Sequence, residues 1–369
     1  MNNIREYIVI NGSKTFFNSY IQETEIDRVS NFLELVKLSD ASKQNGQPFR
    51  NKTSLLIVKN DDYHGIVDTA LDRLGPLIEE LTMDGAKIYV HNPPRVLLEF
   101  LNSLYEQNKI CLKIHSQERK IVKESSKFLE NMNCIGRHII GQENAIVEVT
   151  KSLWYLTNVK RKKPYVIMLY GGSSLGKTEL VRKIAKYFFD NKFFEKHLSM
   201  FKNDNYADYF FGEHPNRKSL GYDLLERESN LIFFDEIDKC PEYFYSAFYT
   251  LFDNTIFKDT NYDVDISGIV IILTSNFLTK EDMQKYLGLP IYYRIDKFIH
   301  FEDFSIQTIH SIVEKEIQSR ESEFKDLLSA DVVYNEVIQK VGTKGENART
   351  IQYKVQSVIE ELMFRKMKQ

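Results

Sequence analysis

Apolar residues in this chain fall into short unbroken runs and stripes at helical spacing, and the two patterns alternate along much of its length. Leu55-Leu56-Ile57-Val58, Lys87-Ile88-Tyr89-Val90 and Ile110-Cys111-Leu112 read as strands. Between them, Ile66, Val67, Ala70, Leu71, Leu74 and Leu77 predict one helix, and Leu97, Phe100, Leu101 and Leu104, opened by Pro94, predict a second. The order is β-α-β-α-β, which predicts a small α/β domain with its own parallel sheet over residues 1–130. A ligand of such a sheet would lie beyond the strand carboxyl ends, near Asn60, Asp61, Asp62 or Asn92. Short polar residues there more often make turns and helix caps.

The pattern then changes. Tyr165–Tyr170, Leu231–Phe234 and Ile269–Leu273 are runs apolar enough to be buried on both faces, and Leu180, Val181, Ile184 and Phe188 stripe a helix after the first of them. This predicts a central α/β domain with a parallel sheet over 131–301. From Ser305, a helix cap, Ile306, Ile309, Val313 and Ile317 stripe one helix, and Ile351, Val355, Val358, Ile359, Leu362 and Met363 stripe the last. A small helical piece over 302–369 follows.

Composition narrows the partners. The balance of 49 Lys+Arg against 52 Asp+Glu, net −3, gives no global attraction to nucleic acid or to an anionic membrane. The run Lys160-Arg161-Lys162-Lys163 reads as a solvated linker, so no nucleic-acid partner is expected. Cys111, Cys134 and Cys240 are far apart without paired metal-ligand spacing, which suits a reducing compartment. His64, His91, His138, His197, His214, His300 and His310 are dispersed in the same way. Without a basic-then-apolar leader or an apolar stretch near the ~20 residues that span a bilayer, the expected setting is cytoplasmic, with no membrane partner.

The chemistry concentrates where strands end. Gly171-Gly172-Ser173-Ser174-Leu175-Gly176-Lys177-Thr178 meets the pattern G-x-x-x-x-G-K-[ST] between a predicted strand and a predicted helix. Backbone N–H groups of such a loop curl around phosphate oxygens, Lys177 can reach the β- and γ-phosphates, and the Thr178 hydroxyl can ligate Mg²⁺. Leu231–Phe234 delivers Asp235 and Glu236. The first is suited to a metal and its water shell, the second to accepting a proton from an attacking water. Ile269–Leu273 ends in Thr274-Ser275-Asn276, whose amide could read the γ-phosphate.

Taken together, Ile140-Gly141-Gln142-Glu143, the loop from Gly171 to Thr178, Phe234-Asp235-Glu236-Ile237-Asp238-Lys239, Leu273-Thr274-Ser275-Asn276 and Arg294-Ile295-Asp296 resemble the Clp-type branch of the AAA+ ATPases, in particular the second module of the ClpA and ClpB proteins, and occur in that family's order. The resemblance covers about residues 135–369. It implies a P-loop large subdomain with a small helical lid, ATP and Mg²⁺ as cofactors, Ile139 and Ile140 beside the adenine, and the loop with Glu179 around the nucleotide. It also implies Arg294 as a finger into the next subunit's ATP, and Arg349, in Gly345-Glu346-Asn347-Ala348-Arg349, as a γ-phosphate sensor in cis. A guanidinium suits both roles because it combines permanent charge with a bidentate donor fork. Asp296 and Glu346 are the neighbours that could instead hold these arginines in surface ion pairs.

One region departs from the family. Phe211-Gly212-Glu213-His214-Pro215-Asn216-Arg217-Lys218-Ser219-Leu220-Gly221-Tyr222 is shorter and more polar than the pore loop of protein-threading relatives, and resembles the short loop of torsins. Its flanking aromatics Tyr209, Phe210, Phe211 and Tyr222 read as core. Leu287-Gly288-Leu289 reads as a helix-terminating turn and not as a peptidase-docking loop. The resulting expectation is an ATPase with sites shared between subunits of a homo-oligomer, a hexameric ring or spiral, that remodels or assembles a protein partner. The alternative is a nucleotide-dependent switch that recruits an effector through its N-terminal domain with slow turnover.

Overall fold

Two five-stranded parallel sheets, each with helices packed on it, organise the chain. The computed structural model describes residues 4–23, 30–65, 71–119, 126–200, 205–212, 214 and 217–368. Ile66, Val67 and Ala70 of the first predicted helix, and Glu213, Pro215 and Asn216 of the shortened loop, lie outside the described residues.

The first sheet runs β2-β3-β4-β1-β5, with β1 Arg5–Asn11, β2 Ser30–Asn31, β3 Thr53–Val58, β4 Thr82–His91 and β5 Ile110–Ser116. Three of these strands match the sequence runs. Strand β1, which pairs with both β4 and β5, lies ahead of the first predicted run at Leu55. Helices Lys14–Glu23 and Phe32–Gln44 are likewise additions to the predicted elements. Strand β1 is apolar on both sides because both faces are covered: Tyr7 and Val9 join a core with Leu74, Ile78, Leu97 and Leu101, whereas Ile8 and Ile10 join Phe17 and Tyr89 opposite. Helix Arg95–Glu106 starts immediately after Pro94, whose fixed φ and missing N–H suit a helix entry.

The second sheet runs β12-β6-β11-β8-β7, with β6 Tyr165–Tyr170, β7 Phe194–His197, β8 Leu231–Asp235, β11 Val270–Thr274 and β12 Lys297–His300. A separate hairpin pairs β9 Ile256–Lys258 with β10 Asp263–Asp265. The unbroken runs again serve two cores. Ile167, Leu169, Leu231, Phe233, Val270 and Ile272 face one, and Val166, Met168, Ile232, Phe234, Ile271 and Leu273 face the other. Helix Lys177–Phe188 buries Leu180, Val181, Ile184 and Phe188 in the first of these cores. Each such side chain contributes about 1.5–3 kcal/mol.

That core continues into the C-terminal helices Ile306–Phe324, Ala330–Lys340 and Ala348–Met367 through Ile309, Val313, Val337, Ile351 and Val355. Helix Phe128–His138 joins it too, with Phe128 against Phe188 at a ring separation of 5.1 Å. The predicted turn at Leu287–Leu289 is a break inside helix Lys280–Tyr292, where Gly288 adopts φ 74° ahead of Pro290. Helix resumes after it. No helix among the described residues is long and apolar enough to cross a membrane.

Candidate functional site

Strands β6, β8 and β11 are neighbours, so the loops at their carboxyl ends meet at one edge of the sheet. After β6 the chain turns through Gly171 at φ 134°, Ser174 at φ 58° and Gly176 at φ 101° before entering helix Lys177–Phe188. Gly171 is required twice over. Its φ disfavours any side chain, and a Cβ would lie 2.3 Å from the Phe301 carbonyl oxygen. Gly172, Ser173, Ser174 and Leu175 complete the loop; Leu175 is buried in the first core and anchors it. Glu179, one turn into the helix, pairs with Lys183 at 3.1 Å.

Lys177 is buried and donates to the carbonyls of Gly171 (2.8 Å) and Gly172 (2.6 Å) and to Asn276 Oδ1 (3.3 Å). Burial pushes its ammonium down to about 8, against the opposing pull of Asp238, Asp235 and Glu236. A buried cation whose hydrogen bonds among the described residues go to neutral carbonyls and an amide is suited to a polyanion. The loop's positive-φ turns and this ammonium fit a nucleotide's phosphates.

Asp235 closes β8 and is buried. Its Oδ1 accepts from the Thr178 hydroxyl at 3.3 Å and from the Thr274 hydroxyl, and Oδ2 lies 3.2 Å from His197 Nδ1. One hydroxyl and one carboxylate converging in this way suit Mg²⁺, which keeps several waters and few protein ligands. Glu236 is held in the left-handed region at φ 59°, with its N–H donating to Thr274 Oγ1 at 2.9 Å. Its carboxylate has no hydrogen bond or ion pair among the described residues. A free carboxylate beside a metal-competent one can act on a water.

Asn276 is oriented by Asp238, whose two oxygens accept from the Asn276 N–H at 3.2 Å and from its Nδ2 at 3.4 Å. Nothing in the sequence spacing gives Asp238, Thr274 or His197 a role at the site. Asp238 and Thr274 lie inside the motifs that carry Asp235, Glu236 and Asn276. His197 had no signal at all, because only the β7–β8 register sets it opposite Asp235.

Ile139, buried at the end of helix Phe128–His138, stands 3.7 Å from where a Cβ of Gly176 would be, so the predicted adenine-flanking residue does meet the loop; Ile140 is partly exposed beside it. The C-terminal helices reach the loop as well, since the Ala348 N–H donates to the Ser174 carbonyl at 3.1 Å. That bond sets Arg349, which is exposed, one residue from the loop contact. Glu346 does not hold it: that carboxylate engages Lys354, Thr350 and the Gly342 N–H.

Arg294 is not brought to this loop. Its Nε donates to Asp253 Oδ2 at 2.6 Å, its Nη1 to the Pro290 carbonyl at 2.6 Å, and its guanidinium lies over Tyr249. Asp296 instead pairs with Arg161 of the basic run, at 2.7 Å. Lys163 of that run reaches Asp253 at 3.6 Å.

A parallel sheet of this order, a phosphate loop after β6, an acidic pair after β8, a polar amide after β11 and a helical lid touching the loop define a nucleotide-binding ATPase-type module. Residues 162–328 match the AAA domain family of the Cdc48 subfamily, and this part of the chain is an AAA domain of the Clp/Cdc48 type. The chain is distantly homologous to Clp proteins and to a mitochondrial disaggregase. It is 28% identical over 193 residues to the human mitochondrial disaggregase, covering 48% of this chain and 27% of that protein. To the chaperone protein ClpB of Mycoplasmoides gallisepticum it is 22% identical over 276 residues, 67% of this chain and 38% of the relative. To a ClpA homolog of Guillardia theta, an ATP-binding subunit of an ATP-dependent Clp protease, it is 25% identical over 249 residues, 54% and 30%. The matched stretch thus spans well under half the length of each of these relatives.

Of the aromatics flanking the shortened loop, Phe210 and Tyr222 are buried as predicted, whereas Phe211 is 37% exposed. The Tyr222 hydroxyl leaves the module altogether and donates to Asp61 of the first domain at 2.7 Å.

Proposed function

We propose that this chain binds ATP with Mg²⁺ at the β6–β8–β11 edge and hydrolyses it to ADP and phosphate, in an assembly that remodels or assembles a protein partner. The observation that carries this reading is the meeting at one sheet edge of two hydrogen-bonded pairs, Lys177 with Asn276 and Thr178 with Asp235, beside Glu236, whose carboxylate has no partner among the described residues. MgATP supplies a polarised terminal phosphoryl group and a metal that neutralises charge on its oxygens.

The chain's residues supply the rest. Lys177 exchanges the Gly171 and Gly172 carbonyls for phosphate oxygens, which restores a counter-charge to its buried ammonium. Thr178 and Asp235 hold the metal. Glu236 accepts a proton from the attacking water, and Asn276, fixed by Asp238, hydrogen-bonds the terminal phosphate and the water. Ile139 and Ile140 flank the base. Arg349 is carried to the same phosphate when the lid moves, its helix being already tied to Ser174.

Arg294 is assigned to a neighbouring subunit's nucleotide, and its pairing with Asp253 is the stored form of that finger in a single chain. A homo-oligomer, hexameric ring or spiral, is therefore the active species. The test is ATPase rate per chain against protein concentration: it should rise with concentration and collapse for Arg294→Ala. A concentration-independent rate with a silent Arg294→Ala would reject the shared site.

A second reading is favoured by one observation, the bond from Tyr222 to Asp61, which ties the shortened loop to the first domain. In that reading ATP sets assembly state, the first domain recruits an effector, and turnover is slow. Glu236→Gln, expected to bind ATP without hydrolysing it, separates the two. Loss of partner function in that variant supports remodelling by turnover, and survival supports the switch.

A further inference from the structure

Strands β1 and β4 are neighbours in the first sheet, yet their chains leave it on opposite faces. Helix Lys14–Glu23, after β1, packs Phe17 against Ile8 and Tyr89, whereas helix Arg95–Glu106, after β4, packs Leu97 and Leu101 on the other side. Such a divergence opens a crevice at the strand carboxyl ends, the place where open parallel sheets take ligands. Gly12 and Ser13 follow β1 there, His91 closes β4 ahead of Asn92, and Asn60 follows the adjoining strand β3.

Its construction is tight. A Cβ on Gly12 would lie 2.8 Å from Cβ of Gln117 and from the Phe16 ring, so only glycine lets the backbone approach here. Asn92, at φ 44°, accepts from the Gly12 N–H at 2.9 Å and donates to the Gly12 carbonyl at 2.8 Å, tying the ends of β1 and β4 together.

The crevice holds a carboxylate, and that carboxylate comes from the AAA module. Glu226, just after helix Leu220–Leu225, accepts from the Lys14 N–H at 2.8 Å through one oxygen. Its other oxygen accepts from Asn60 Nδ2 at 2.6 Å and Asn92 Nδ2 at 3.1 Å. The three donors are all neutral, and one is the first N–H of a ten-residue helix. His91 Nε2 is 3.7 Å from Glu226 and 2.9 Å from the Gly12 carbonyl; burial holds its ring below the usual imidazole range, against the pull of Glu226, so dipoles and not an ion pair meet the charge. The Lys14 ammonium turns away to Asp61, at 3.1 Å. Glu226 thus sits as a ligand would.

We infer that the crevice between β1 and β4 is an oxyanion-binding site of the N-terminal domain, made for the carboxylate or phosphate of a small molecule, and that Glu226 is its internal occupant. An external oxyanion and the AAA module then compete for the same three donors. Displacing Glu226 removes one contact that fixes the end of the shortened-loop segment, leaving Asp61 with Tyr222 and Lys218, and Arg119 with the Leu225 and Arg227 carbonyls, to hold the two domains at that point.

The experiment uses the full chain with its P-loop saturated by a non-hydrolysable ATP analogue and Mg²⁺, so that the nucleotide site cannot take up the probe. Calorimetric titrations with inorganic phosphate and, separately, with acetate compare the wild-type chain with Glu226→Ala. The variant is expected to bind one anion per chain at least about tenfold more tightly than wild type, the scale of one charge-assisted hydrogen-bond set. The anion that binds tells phosphate from carboxylate. Adding Asn92→Asp, which keeps the acceptor to Gly12 but replaces a donor by a charge, should abolish that binding. Should Glu226→Ala melt out of range, Glu226→Gln, equal in shape and uncharged, is expected to gain anion affinity in the same direction. Binding of neither anion by the emptied crevice, binding indifferent to Asn92→Asp, or a Glu226→Gln chain indistinguishable from wild type would overturn the inference.

Discussion

Lys177 carries the most information of any single residue, because its surroundings make its charge conditional. In the folded chain burial lowers its ammonium to about 8, whereas in the unfolded chain it titrates in the ordinary lysine range near 10.4. Between those values the unfolded state binds more protons, so this group's contribution to stability rises with pH from about 8 to above 10. Lys177→Met removes the titration. The stability difference between wild type and Lys177→Met should therefore move in favour of wild type across that window, read from denaturant midpoints, and the movement should vanish when a triphosphate fills the loop. The same substitution should weaken nucleotide binding by tenfold or more.

Type and spacing single out Gly171, Gly176, Lys177, Thr178, Asp235, Glu236 and Asn276 in the sequence, and all of them arrive at one edge of the sheet. Asp238 and Thr274 escaped notice because their work is to orient other side chains, which no spacing announces.

At the scale of elements, two joints connect the loop to the rest of the module. The first is Gly171. Gly171→Ala combines an unfavourable φ with a Cβ 2.3 Å from the Phe301 carbonyl, so β12 and the loop cannot both keep their places. A melting temperature lowered by several degrees, together with lost nucleotide binding, is expected; an unchanged melt would show that the strand end yields. The second joint is the start of helix Ala348–Met367, where Asn347 and Thr350 form a reciprocal capping box next to the Ala348–Ser174 bond. Asn347→Ala should cost about 1 kcal/mol in denaturant unfolding. It should also weaken nucleotide binding, because the capped turn presents Arg349.

Elements were the best-predicted level: β3, β4, the apolar core of the second sheet and the stripes of the lid helices all follow from periodicity. Strand β1 contains the run Tyr7-Ile8-Val9-Ile10, yet its place between β4 and β5 depends on pairings with residues about 80 and 100 positions away. The break at Gly288 shows the limit of turn signals, since a glycine with a proline two residues on interrupted a helix without ending it.

For the whole molecule, two contacts bear on how the parts relate. Asp253 holds Arg294 within its own chain. If this pairing stores a finger meant for a neighbour, Asp253→Asn should shift the rise of ATPase rate to lower protein concentration. If Asp253 instead aims the finger, the same variant should lower the rate at every concentration. Sedimentation with a non-hydrolysable analogue reads the assembly separately from the rate. The other contact is the seat of Glu226 in the first sheet, which joins the two α/β units together with the bonds that Asp61, Arg95 and Arg119 make to the AAA module. Limited proteolysis should cut between the first domain and the AAA module sooner in Glu226→Ala than in wild type.

The sequence by itself determined the two α/β units, the helical lid and the gathering of the glycine-rich loop, Asp235, Glu236 and Asn276 at one sheet edge, since these rest on local patterns: periodicity of apolar residues, glycines at required turns, and charged groups at strand ends. Tertiary structure alone decided that β1 lies between β4 and β5, that His197 faces Asp235, that Arg294 is held by Asp253, and that Glu226 occupies the crevice of another domain. Each of those is a meeting of side chains far apart in the chain. Pairing and packing energies settle such meetings only once the whole core has formed, and no spacing along the chain encodes them.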